Sequence, residues 1–124
     1  MTRLLPSCLL SVPALLLVSC LSASAAAVTA TDRGGSMTTG GTAQNAMSSN
    51  ASRAGCWVQN PVNATEDLYV SSTTSATTTA GAGDDADLAP GGSWSCVQGS
   101  NVIQSAISVN AATSGHAYIA KETQ

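Results

Sequence analysis

Apolar and polar positions divide the chain into three regimes. Leu4 to Val18 is an apolar run, broken mildly by Pro6, Ser7, Ser11 and Pro13. Residues 28–41 are rich in Thr, Gly and Ser and carry no apolar period, which predicts a flexible or loosely docked lead-in. Beyond it, short apolar groups alternate with polar residues and are separated by turn signals. Residues 42–47 predict a short first strand, and Ser48 to Ser52 a polar turn. The first compact apolar group is Gly55-Cys-Trp-Val-Gln-Asn60, read as a core strand that Pro61 closes, because proline has no amide to donate to a ladder. Asp67-Leu-Tyr-Val-Ser71 reads as its hairpin partner. Residues 72–85 form a Thr/Ala/Gly-rich loop whose length predicts an exposed, mobile or contact-making segment.

Ala86 to Pro90 predicts a short edge strand, with a turn at Gly91-Gly92, and Ser93 to Val97 a further strand. Val102 to Val109 could be helical by composition. Ile107 and Val109 alternate around Ser108, however, and β-branched residues dominate the run, so a strand is predicted. His116 to Lys121 alternates and closes the domain. Strands spaced roughly eight to twelve residues apart predict an all-β fold, a small antiparallel β-sandwich or barrel-like domain over residues 42–124.

Composition narrows the function classes. Charged residues make up 9% of the chain and aromatics 3%, with no Phe, so the core has few large side chains and needs further support. The formal charge is -3, and beyond the apolar run the bases Arg33, Arg53 and Lys121 are scattered. A nucleic-acid surface needs clustered bases, so none is expected.

Arg3 followed by the apolar run, with Ala23-Ser-Ala25 and Ala25-Ala-Ala27 after it, has the layout of a secretory signal peptide over residues 1–27. Leu17-Val-Ser-Cys20 also matches a lipobox, which would lipidate Cys20. An uncleaved anchor and a translation start further in remain open. Export is the leading expectation, and the membrane is then met only through the signal or the lipid. With the signal removed, Cys56 and Cys96 remain, apart from Cys20 where it is lipidated. In an exported chain they invite one disulfide, and the other reading is two buried thiols.

Candidate chemistry is sparse. Asp84, Asp85 and Asp87 form the densest acidic group, but no EF-hand pattern accompanies them, and a solvated loop is the expectation. Two Cys and the single His116 are too few for zinc, so neither a metal nor a cofactor is expected. His116 has no base or nucleophile partner set by spacing, and no Gly-x-Ser-x-Gly elbow occurs, so no enzyme is expected. Trp57, Trp94 and Tyr69 are the candidate contact residues; the two indoles are core packing or a sugar-stacking platform. Gly55 allows the turn into the first core strand, Cys56 and Val58 are expected to face inward and Trp57 outward, and Arg53 is expected to hold Glu122.

The order of short motifs carries a resemblance. It runs through Thr31-Asp-Arg-Gly-Gly-Ser36, Gly40-Gly-Thr-Ala-Gln44, Asn50 to Asn60, Asp67-Leu-Tyr-Val70 and Leu88 to Trp94. Ala112-Thr-Ser-Gly-His-Ala-Tyr118 and Ala120-Lys-Glu122 follow. Over residues 30–122 the chain resembles small β-domain proteins encoded among tailed-phage and prophage structural genes. The resemblance implies a non-enzymatic virion component, in a tail or as a capsid decoration, that acts through protein contacts as a homo-oligomer or larger assembly. It carries no catalytic residue. The apolar start departs from that pattern, since a virion protein assembled in the cytoplasm needs no signal. It implies either a true start further in or recruitment for export. The alternative function is an exported or lipid-anchored envelope protein that binds a surface ligand such as a glycan.

Overall fold

A computed structural model describes residues 27–73, 75–80 and 83–124. The predicted signal segment 1–27 and Cys20 lie outside the described residues, save Ala27. The described chain is all-β, and every strand pair is antiparallel.

Among the described residues there are eleven short strands: β1 (Ala30–Asp32), β2 (Gly35–Ser36), β3 (Gln44–Met47), β4 (Gly55–Gln59), β5 (Leu68–Ser71), β6 (Ala86–Leu88), β7 (Ser93–Ser95), β8 (Val97–Gln98), β9 (Asn101–Val102), β10 (Ile107–Asn110) and β11 (Ala117–Thr123). One sheet has the order β1-β11-β4-β7, with β2 also on β11, and the other runs β3-β10-β5-β6. β8 and β9 form a separate hairpin. Both sheets are open, so the molecule is a small sandwich and not a closed barrel.

The period of two decides which side chains meet. Along β11, Tyr118, Ala120 and Glu122 are buried while Ala117, Ile119 and Lys121 are exposed. Cys56 and Val58 of β4 face the same way and pair with Glu122 and Ala120. From the second sheet come Met47, Leu68, Val70, Leu88, Ile107 and Val109, which join Cys56, Val58, Tyr118 and Ala120 in one hydrophobic cluster. Trp94 stands opposite Val58 and packs against that cluster.

Cys56 and Cys96 are disulfide-bonded, with Cα atoms 5.3 Å apart and 40 residues of separation. Cys96 is fully buried and its amide donates to the Cys56 carbonyl at 3.1 Å, so the bridge joins β4 to the end of β7 within one sheet. In a core with so few aromatic side chains, this cross-link supplies support that side-chain burial alone lacks.

Three expectations change. The segment 28–41 is not a free lead-in. Its backbone pairs with β11 through β1 and β2, and Met37 is 1% exposed, its amide donating to the His116 carbonyl and its carbonyl accepting from the Gly115 amide. Tertiary pairing overrides the Gly- and Thr-rich composition, and the sandwich therefore starts near residue 30, not at 42. Second, β4 and β5 are not a hairpin; they belong to different sheets, and Asn60 to Asp67 crosses between them. Third, residues 102–109 do not form one strand, because the chain leaves β9 before entering β10.

The described part of loop 72–85 is pinned to the outer face of the second sheet. Ala76 is 3% exposed; its amide donates to Ser108 Oγ at 2.9 Å, and its carbonyl accepts from Asn110 Nδ2 at 3.0 Å. Asp85 accepts the Ser72 amide at 2.7 Å, and Asp84 accepts from the amide and hydroxyl of Thr77. Two of the three clustered acids thus satisfy the loop's own donors.

Candidate functional site

Three polar clusters and one sheet face stand out, and the sequence-predicted residues are spread among them. The first cluster surrounds Glu122, a carboxylate on the inner side of β11 that is only 1% exposed. Arg53 Nε donates to Oε1 at 3.0 Å, Arg33 Nε to Oε2 at 3.0 Å and Asn50 Nδ2 to Oε1 at 2.7 Å. Burial alone would raise the pKa of Glu122; the donors Asn50, Arg53 and Arg33 outweigh it and hold the carboxyl below its ordinary value. Arg53 also donates to the carbonyls of Ile103, Ser105 and Ser48, at 2.8, 2.7 and 2.7 Å. The expected Arg53–Glu122 pair is present, and it acts as a staple. One buried guanidinium ties the entry of β4 to β11 and to the segments before β4 and β10.

The second cluster lies at one end of the sandwich, where Asn60 terminates β4. Asn60 is fully buried, and its Nδ2 donates to the carbonyls of Glu66 and Leu88 at 2.9 and 2.8 Å. Those two bonds fix the amide, so Oδ1 is the acceptor that faces His116 Nε2 at 3.0 Å. His116 Nδ1 lies 3.2 Å from Glu66 Oε1, which also accepts from the amide and hydroxyl of Thr113. The Thr113 hydroxyl is the main reason the Glu66 carboxyl sits below its ordinary value. A recess of ≈ 300 Å³ opens here, bordered by Pro61, Thr65, Ser114 and His116. Serine, histidine and glutamate therefore share a neighbourhood that spacing in sequence does not reveal. The geometry does not link them as a relay, because His116 Nε2 is engaged with Asn60 and Ser114 Oγ accepts from the Gly40 amide at 2.9 Å.

The third cluster is the outer face of the second sheet. Tyr69 stands between Asp87 and Asn110 in the register. Its hydroxyl is pushed up, first by burial and then by the nearby carboxylates Asp67, Asp87, Asp84 and Glu66.

The outer face of the first sheet differs from all three. Trp57 lies between Lys121 on β11 and Ser95 on β7, and Ile119 pairs with Gln59, diagonal to Trp57. Ile119 is 38% exposed, Trp57 and Gln59 are half-buried, and Ser93, Ser95 and Lys121 are exposed. Lys121 also faces Asp32 across the β1 pairing.

The predicted contact residues therefore do not converge. Trp57 is on the outer face of the first sheet, Trp94 on its inner face, and Tyr69 on the outer face of the second. The two indoles cannot form one stacking platform. Asn50-Ala-Ser52 and Asn63-Ala-Thr65 have the Asn-x-Ser/Thr form of a glycosylation acceptor; Asn50 has its amide committed to Glu122, while Asn63 lies on an exposed turn. Among the described residues, no group of three His, Cys, Asp or Glu side chains is arranged to hold a metal ion. No family model, curated protein or solved structure matches the chain.

Proposed function

We propose that the protein is a non-enzymatic structural module that works by surface contact, packing against copies of itself or a neighbouring protein within an assembly. This is how a small tail or capsid-decoration protein of a virion functions. The observation that carries the reading is the outer face of the first sheet. It presents Trp57 and Ile119 at its centre, bordered by Gln59, Ser93, Ser95 and Thr123 and by the exposed Lys121, which stands opposite Trp57 in the register. An apolar centre inside a polar rim is the composition of a protein contact. The opposite face of the sandwich lacks this character, because the described part of loop 72–85 lies over it.

The Cys56–Cys96 bridge favours an oxidising compartment. It supports an exported form, with the leader cleaved or Cys20 lipidated, over a purely cytoplasmic one. A virion location goes with a start beyond the apolar run.

Mass spectrometry of purified particles and of envelope fractions from the native host tests the proposal. The protein should be enriched in one of them, in fixed ratio to known assembly components, with its cysteines oxidised. A free, monomeric protein absent from both fractions would remove the reading.

A further inference from the structure

Beside the described part of loop 72–85, the outer face of the second sheet carries a trough, on the side of the sandwich away from Trp57 and Ile119. Two recesses of ≈ 420 and ≈ 450 Å³ share Ala43 and Ser75 and so run into one another. Ala43 and its neighbours at the start of β3 line one wall, loop residues 72, 73 and 75–79 line the other, and Ser108 and Asn110 of β10 line the floor. No charged and no aromatic residue lines either recess; hydroxyls, amides and Ala or Gly make up the whole wall.

One atom in this trough is unsatisfied. Asn110 is 2% exposed and lines the recess, and its Oδ1 has no hydrogen-bond partner, the one such buried side-chain atom among the described residues. The amide cannot turn to relieve this, because Nδ2 is committed to the Ala76 carbonyl at 3.0 Å. A buried acceptor left without a donor is unfavourable, and native structures rarely leave one. An O–H or N–H group entering from the trough would supply the missing donor.

The wall chemistry limits what can bring that donor. A charged ligand would lose its hydration without gaining a counter-charge, and an apolar ligand would leave the hydroxyl and amide groups unpaired. A neutral molecule dense in hydroxyls satisfies both conditions. We propose that this trough is a binding site for a neutral saccharide chain, with one sugar hydroxyl donating to Asn110 Oδ1. The inference stands apart from the contact face of the first sheet, and either can fail alone. It also moves sugar recognition away from the indoles, which lie elsewhere on the molecule.

Affinity electrophoresis of the full chain tests it, in native gels cast with soluble starch, a galactomannan or a mixed-linkage β-glucan. The wild type should be retarded by at least one of them. Ala43→Trp and Ser75→Trp, which fill the trough, should lose that retardation while keeping the wild-type melting temperature. Val62→Trp, an indole added at an exposed turn, should retain it. Asn110→Leu should weaken retention about tenfold, the loss expected for one buried hydrogen bond and its disturbed setting. Absence of retardation in all three polysaccharides would overturn the proposal, as would retardation unchanged in both trough-filled variants.

Discussion

Arg53→Ala is the substitution that most directly probes how this sandwich is held together. The wild-type side chain is buried and makes four hydrogen bonds, one to Glu122 and three to the carbonyls of Ser48, Ile103 and Ser105. Removing one member of a buried, hydrogen-bonded ion pair costs about 3–5 kcal/mol. Asn50 and Arg33 still donate to Glu122, which lowers the ionic part of the loss. The three abandoned carbonyls raise it again by about 1 kcal/mol each where water replaces the donor poorly. The two corrections oppose each other, and the expected loss is about 4 kcal/mol. For a domain of this size that corresponds to a fall in Tm of about 20 °C. Urea unfolding at pH 7 with the disulfide intact measures it. Arg53→Lys should recover only part of the loss, since one ammonium cannot reach acceptors arranged around a planar guanidinium. A loss below about 1 kcal/mol for Arg53→Ala, or full recovery by lysine, would refute the staple.

The remaining predictions concern the other supports. Replacing both Cys56 and Cys96 with Ala opens a loop of 40 residues and should cost about 4 kcal/mol in the chain-entropy model, read by urea unfolding against the oxidised wild type. Glu122 sits below its ordinary value of 4.5 in the folded state, so its contribution to stability is complete above that value and is lost as pH falls through the lower folded pKa. A pH series should therefore show stability falling on acidification below about pH 4.5, with a shallower fall in Glu122→Gln, and parallel curves would contradict the linkage. Trp94→Ala removes an inward side chain and should cost about 3 kcal/mol. Trp57→Ala on the outer face should cost about 1 kcal/mol or less, and equal losses in thermal melts would mean that the faces are misassigned.

Much of the fold could be read from alternation. The strand at residues 55–60, with Cys56 and Val58 inward and Trp57 outward, follows from a period of two and from Pro61. The same signal locates Ser93 to Ser95 and the last strand. Pairing partners were less legible. β4 and β5 read as a hairpin because both are apolar and close in sequence, but Asn60 and the cluster it anchors carry the chain across to the other sheet. β1, β2 and Met37 went unseen because Gly and Thr show no apolar period, and their place is set by the free edge of β11. The Arg53–Glu122 pair was accessible from its rarity in a chain with few charges. The His116–Glu66–Asn60 cluster was not, since its members come from separate connections between strands. The trough on β10 had no sequence signal at all, because its residues are the ordinary Ser, Thr and Asn of the whole chain.

The central claim, a module that works by contact through the outer face of the first sheet, is tested most directly by sedimentation velocity. The disulfide-intact protein should be measured over a wide concentration range beside Trp57→Lys and Ile119→Lys. Self-association that increases with concentration in the wild type and disappears in both variants, with Tm unchanged, is the predicted result. Variants that associate as the wild type does would contradict the account, and a wild type that stays monomeric throughout would remove packing against copies of itself.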